Sequence, residues 1–288
     1  MTNEPRRTTA DADRLPETKG GRSSETLDDQ AFMRYSRQLL LQDIGVEGQQ
    51  RLQAATVLLA GLGGLGSPAA LYLAAAGVGT LLLADDDALH ITNLQRQILY
   101  RTADLGRSKA ELAQRELTAL NPGGRYLPLT RRLAGDWLDE QVARADLVLD
   151  CSDNMATRHA INAACVRRGI PLISGSAVGF DGQFLIVRPP WREGCYACLF
   201  PEKEEVQRNC RTAGVLGPVV GMMGTLQALE AIKLLCGVHG DSPDQLRLFD
   251  GKTLQWRTLR LNRDPHCPVC AAALARPAST AGTARRTL

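Results

Sequence analysis

Short apolar runs recur through the middle of the chain, and each is followed by a stretch with helical spacing. Residues 57–60 (Val-Leu-Leu-Ala) read as a strand buried on both faces, as in a parallel sheet. They run into Gly61-Leu-Gly63-Gly64-Leu-Gly66, after which a helix begins near Ser67-Pro68, where proline is tolerated in the first turn. Gly77 and Gly79 stop that helix, and residues 80–84 form the next strand, ending in Asp85-Asp86-Asp87. Ser108-x-x-Glu111 predicts a capping box for a helix that reaches about Leu120 and halts at Asn121-Pro122. Residues 126–129 are a weaker strand whose internal proline places it at an edge. Residues 146–150 form a strand that feeds Cys151-Ser152-Asp153-Asn154 and a helix to Gly169, and residues 171–174 form another strand.

After Gly175 the pattern changes. Asp181-Gly182 signals a turn before residues 183–188, and residues 246–249 and 256–261 flank the turn-prone Asp250-Gly251. Between them a helix is expected from about Gly221 to Leu235, with Leu226, Leu229, Ile232 and Leu235 as its core stripe and Gly237 as its stop. Alternating strands and helices followed by strands alone predict an α/β fold. Its centre is a Rossmann-like, doubly wound, mostly parallel sheet extended by antiparallel strands. An amphipathic helix begins near Asp29, whereas residues 1–28 and 272–288 are polar tails with little to bury and are expected to be disordered. One folded body is therefore expected to span residues 29–271, between two tails at 1–28 and 272–288.

Composition narrows the function classes. The 288 residues are 44% apolar, enough for a large core, and 34 basic against 31 acidic residues give a formal charge of +3. That balance leaves no electrostatic footprint for nucleic acid or an anionic membrane. No apolar run approaches the length of a membrane span, and the N-terminus lacks a signal-peptide apolar segment, so a cytoplasmic location is expected. In a reducing compartment eight cysteines point to metal or catalysis rather than disulfides. Four histidines make a histidine-centred acid–base mechanism a poor fit.

The glycine loop is a modest signal by itself. Gly63 and Gly64 let backbone N–H groups approach phosphate oxygens at a helix N-terminus. Asp85, at the end of the following strand, stands where an acid hydrogen-bonds a ribose. A dehydrogenase binds NAD in the same way, and a tightly packed strand–helix turn would also use these glycines. Three features favour phosphate chemistry. Asn93-Leu-Gln95-Arg96-Gln97 follows the ribose acid, Lys109 sits in the first turn of a helix against the dipole preference, and Asp153 follows a third strand where it suits Mg²⁺. Hydride transfer would ask for a Tyr–Lys or His pair at the sheet edge, and none is visible.

Cys195-Tyr-Ala-Cys198 and Cys267-Pro-Val-Cys270 are two Cys-x-x-Cys turns, the ligand set of a structural zinc. Such a metal would pin the C-terminal segment back onto the body. A zinc-clasped binding module without enzymatic activity has the same signature.

Taken together, the glycine loop, Asp85, residues 93–97, Lys109, Cys151-Ser-Asp153-Asn154 and the two Cys pairs closely resemble the MoeB/ThiF family, adenylating enzymes that activate the C-terminal carboxylate of ubiquitin-like proteins. The resemblance covers residues 29–271. Residues 32–38, Asn209-Cys210-Arg211-Thr-Ala-Gly214 and 224–235 look most like the members that adenylate a ThiS-type sulfur carrier for thiamin thiazole synthesis. The activator of molybdopterin synthase is the nearest other member. The resemblance implies ATP with Mg²⁺ as substrate, a homodimer, a small ubiquitin-fold carrier with a Gly-Gly tail, and a sulfur donor such as a cysteine desulfurase. It implies that Gly61, Gly63, Gly64, Gly66, Asp85, Asp87, Asn93 and Asn154 hold the nucleotide. Arg96 and Lys109 would neutralise phosphates, Asp153 would hold Mg²⁺, and Arg37 would reach the neighbouring subunit's ATP. Cys210, flanked by Arg208 and Arg211, would lie on a loop crossing the adenylate and link to the activated carrier.

Overall fold

The computed structural model describes residues 27–201, 214–238 and 245–275. Eight strands form one sheet in the order β3-β2-β1-β4-β5-β6-β7-β8. These are β1 (Thr56–Ala60), β2 (Thr80–Ala84), β3 (Arg125–Leu129), β4 (Leu147–Asp150), β5 (Leu172–Val178), β6 (Asp181–Val187), β7 (Gln245–Asp250) and β8 (Gln255–Arg260). The first five strands are parallel, and β6, β7 and β8 continue the sheet antiparallel from β5. β3 is the edge strand that its proline predicts.

The core strands read as unbroken apolar runs because both faces are covered. In β1 and β2, Val57, Leu59, Leu81 and Leu83 join one buried cluster, while Leu58, Ala60, Leu82 and Ala84 join the other. The first cluster is closed by α3 (Gly66–Ala75), α4 (Lys109–Leu120) and α8 (Gly217–Cys236). The second is closed by α5 (Gly135–Ala143), α6 (Met155–Arg168) and α7 (Tyr196–Leu199). Two further helices, α1 (Asp29–Leu39) and α2 (Gly45–Ala54), precede the sheet. Gln38 on α1 donates to the Ala76 carbonyl at 2.9 Å, and Asn121 donates to the Tyr35 hydroxyl at 2.8 Å. These bonds fix α1 to the end of α3 and of α4.

Several details differ from the sequence reading. α8 begins one turn earlier than expected, and its buried face carries Val219, Val220, Met223, Gln227, Ala228 and Ala231. Leu229 is exposed, and Leu226, Ile232 and Leu235 are only partly buried. Gly224 joins Ala228 and Ala231 on this inner face, where α8 packs directly on α3 and β5 and a Cβ on Gly224 would collide with the Leu65 carbonyl. The helix is 20 residues long and, by length and composition, apolar enough to cross a membrane, contrary to the expectation that no run reaches that length. The turn between β5 and β6 falls on Gly179 and Phe180, so Asp181 and Gly182 lie inside a strand that pairs with both neighbours. α2 and α5 were not expected, having no strong caps or apolar stripe. A short helix, α9 (Ala271–Ala275), occupies the first residues of the stretch expected as the C-terminal tail. Residues 1–26 and 276–288 fall outside the described residues.

Candidate active site

The strand order reverses between β1 and β4, since β2 and β3 lie on one side and β5 on the other. Loops leaving the carboxyl ends of β1 and β4 diverge there and open a crevice. The sequence puts the glycine loop after β1 and residues 151–154 after β4, so the two candidate stretches meet. Gly61 has a φ of +95°, and a Cβ there would stand 2.8 Å from the Cys151 carbonyl oxygen. A Cβ on Gly66 would collide with the Gly61 carbonyl, so Gly61 is required by the close approach of the two turns and Gly66 by the tight curl of the glycine loop itself.

The crevice is a cavity of about 1450 Å³. Gly61, Gly63, Gly64, Asp85, Asp87, Asn93, Arg96, Lys109, Asp153 and Asn154 all line it. Gly66 lies behind the loop as the first residue of α3. Arg37 is exposed on α1 and is not among the lining residues. Cys210 lies outside the described residues.

The acids and bases are prearranged. One Asp85 carboxylate oxygen accepts from the Leu62 N–H at 2.8 Å and the other from the Asp87 N–H at 3.0 Å. Burial pushes the Asp85 carboxyl above its ordinary range, while Lys109 and these N–H groups pull it back. The carboxylate therefore braces the glycine loop as well as facing the cavity. Lys109 is buried, with its ammonium 3.0 Å from Asp87 and 4.0 Å from Asp85. The anion that its unusual helix position called for is thus present within the protein. Asn93 accepts from the His90 N–H at 3.0 Å, and Asn154 caps α6 by accepting from Thr157 at 2.9 Å. Those two side chains are partly committed to holding turns. Asp153 is exposed to the cavity beside that cap.

A second network lies under Asp153. The fully buried Asp150 carboxylate accepts from the Ser152 N–H at 3.0 Å, the Ser152 hydroxyl at 2.6 Å and the Ser174 hydroxyl at 2.7 Å. Arg158 stands 3.9 Å from Asp150 and donates to the Ser152 carbonyl at 2.5 Å and to Ser174 at 3.3 Å. Gln227 of α8 donates to the Asp150 carbonyl at 2.9 Å. The sequence reading did not single out Arg158. The argument applied to Lys109 would have found it, because Arg158 is also a cation in the first turns of a helix, α6.

The cavity continues past Tyr196 and Phe200 to Asp181, Gln183, Leu248 and Arg257 on the antiparallel strands. At this size it exceeds the roughly 300–1,000 Å³ of a site for one small molecule, leaving room for a second, extended substrate. Among the described residues no histidine lines it. A reaction here must rely on position and charge rather than on an imidazole base.

The four predicted metal-ligand cysteines come together. Their sulfurs lie within 4.8 Å of one another, with Cys195–Cys267 at 3.8 Å and Cys198–Cys270 at 3.5 Å. A tetrahedron with metal–sulfur bonds of about 2.3 Å has sulfur–sulfur edges of about 3.8 Å, so the set fits a four-thiolate metal site. Buried Asn162 of α6 donates to the Cys195 sulfur at 3.5 Å and accepts from the Tyr196 N–H at 3.1 Å. Cys151, Cys165 and Cys236 are buried elsewhere, as expected for small apolar side chains.

The ThiF family model matches residues 35–269. The chain is 61% identical over 251 residues to the sulfur carrier protein ThiS adenylyltransferase of Escherichia coli (strain K12), covering 87% of this chain and 100% of that one. It is 42% identical over 244 residues to the molybdopterin-synthase adenylyltransferase of the same organism, covering 85% of this chain and 98% of that one. Among solved structures, E. coli MccB with ATP superposes with a TM-score of 0.73 at 26% identity, over 83% of this chain and 74% of that one.

Proposed function

The chain belongs to the ThiF family, and from that premise we propose that it adenylates the C-terminal Gly-Gly carboxylate of a ThiS-type sulfur carrier for thiamin thiazole synthesis. A carboxylate oxygen of the carrier attacks the α-phosphorus of ATP. A mixed anhydride forms, the bond from the α-phosphorus to the bridging oxygen breaks, and pyrophosphate leaves. The carboxylate is already ionised at neutral pH, so the absence of a histidine among the described lining residues is no obstacle. Catalysis rests on in-line placement and on spreading charge over fixed cations.

The single observation that carries this reading is the convergence, at one switch point, of the glycine loop, Asp85, Arg96, Lys109 and Asp153 on a cavity with room for two substrates. In it Arg96 and Lys109 neutralise phosphates, with Lys109 poised between Asp85 and Asp87 until an ATP phosphate shares it. Asp153 takes the Mg²⁺ that accompanies ATP, and Asp85 or Asn93 meets the ribose. The carrier tail enters past Tyr196 and Phe200 from the antiparallel strands. The four cysteines hold one structural Zn²⁺, joining α7 to the C-terminal segment. Arg37 serves the second subunit of a homodimer, which accords with its exposure away from its own cavity. Cys210 provides the thiol for a link to the activated carrier, and a cysteine desulfurase or similar donor then supplies sulfur.

ATP–pyrophosphate exchange tests the assignment. It should require a ThiS-type carrier with a free C-terminal carboxylate. Faster exchange with the small subunit of molybdopterin synthase would transfer the assignment to that relative's substrate.

A further inference from the structure

Asn162 is fully buried in the middle of α6, where a side-chain amide competes with the helix backbone and usually faces water. Its side-chain hydrogen bonds leave that helix for the start of α7. The NH₂ donates to the Cys195 sulfur at 3.5 Å, and the amide oxygen accepts from the Tyr196 N–H at 3.1 Å. A backbone N–H can only donate, so the Tyr196 contact fixes the orientation, with the oxygen toward Tyr196 and the NH₂ toward the sulfur. Burying an amide is costly unless both ends are paired, and here each end has a partner. Cys195 is itself enclosed, so its sulfur draws its donors from the protein. Four thiolates carry more negative charge than one divalent ion cancels, and an N–H aimed at one of them offsets part of the excess.

We propose that Asn162 is a positioning residue of the four-cysteine metal site, donating to the Cys195 thiolate and, through Tyr196, tying that site to the wall of the substrate cavity. This rests on the metal reading above. Tyr196 lines the cavity, its hydroxyl donates to the Met155 sulfur at 3.5 Å, and its ring centroid lies 4.8 Å from that of Phe200, which also lines it. Arg158, one turn before Asn162 on the same helix, holds the Ser152 carbonyl at 2.5 Å. One helix therefore braces the turn that carries Asp153 at its start and the metal site at its middle. Tyr196 and Phe200 wall the side of the cavity that the carrier tail enters, so a loosened clasp disturbs the carrier before it disturbs ATP.

Asn162→Leu in the full chain keeps the volume and removes the amide. Zinc affinity, read by competition with a chromophoric chelator, should weaken by about 10–100-fold. With cobalt(II) loaded in place of zinc, the thiolate-to-metal charge-transfer band should move to longer wavelength, because a sulfur that loses a donor gives up electron density more readily. In pyrophosphate exchange, KM for a ThiS-type carrier should rise while KM for Mg·ATP stays unchanged. Should Asn162→Leu fail to fold, Asn162→Ser carries the same comparison with a polar group too short to reach both partners. Unchanged zinc affinity, a cobalt band that stays in place, or an equal rise in both KM values would overturn the proposal. Wild-type protein that binds neither zinc nor cobalt would instead overturn the metal reading itself.

Discussion

Asp150→Asn isolates the network that holds the turn carrying Asp153. The substitution keeps the size of the side chain and removes its charge. It leaves the Ser174 hydroxyl facing an amide in one orientation, and leaves Arg158, whose side chain is 7% exposed, without its counter-charge at 3.9 Å. Because Asp150 is fully buried, solvent screening gives little relief. Breaking a buried pair by removing one partner costs about 3–5 kcal/mol. At about 2 °C per kcal/mol for a chain of this size, melting should fall by about 6–10 °C. Calorimetric melting gives the single-variant value, and a cycle with Arg158→Met gives the coupling. Removing both charges should recover part of the loss, so the double variant should be more stable than the sum of the two single effects predicts. Pyrophosphate exchange should fall in Asp150→Asn even well below its melting temperature, because Ser152 adjoins Asp153. A melting temperature within about 1 °C of wild type, or strictly additive single effects, would refute the pairing argument.

Other expectations follow from the site and the clasp. Cys267→Ser should release zinc, measured by elemental analysis, and expose the C-terminal segment to protease, since a closed four-thiolate site contributes on the order of 10 kcal/mol; zinc-free wild-type protein would contradict this. Lys109→Ala should slow carrier-dependent exchange by about two orders of magnitude, and mixing it with Arg37→Ala should restore some activity through hybrid dimers with one intact site. The raised Asp85 carboxyl has a definite sign. Its contribution to stability is full below the ordinary carboxylate range and is lost as pH rises through its folded value, because the native state then holds the extra proton. Denaturant titrations across that acidic window should show a shallower decline with rising pH in Asp85→Asn than in wild type.

Much of the parallel half was legible because its signals are local. Runs such as residues 57–60 and 80–84 fix strands, Gly61 is demanded by the contact between two turns, and Gly66 by the curl of its own loop. The paired Cys-x-x-Cys turns likewise meet at the distances that tetrahedral ligands need. What sequence missed depends on partners far along the chain. The inner face of α8 differs from the expected stripe because Leu229 and its neighbours fit helical spacing, whereas the face that packs on α3 and β5 carries Val219, Val220, Met223, Gly224 and Gln227. Arg158 went unnoticed because its meaning comes from Asp150 and Ser174 on two different strands. Lys109 was noticed for its unusual helix position, and the carboxylates that justify it, Asp85 and Asp87, were already in view for the ribose.

The most direct test of the account is the mass of a ThiS-type carrier incubated with this protein and Mg·ATP, compared with the same carrier whose C-terminal carboxyl is amidated. The account predicts that the free carrier gains one adenylyl group at its terminal glycine, with pyrophosphate released in equal amount, and that the amidated carrier gains nothing. An unmodified carrier, or an adenylyl group that appears equally on the amidated one, would contradict it.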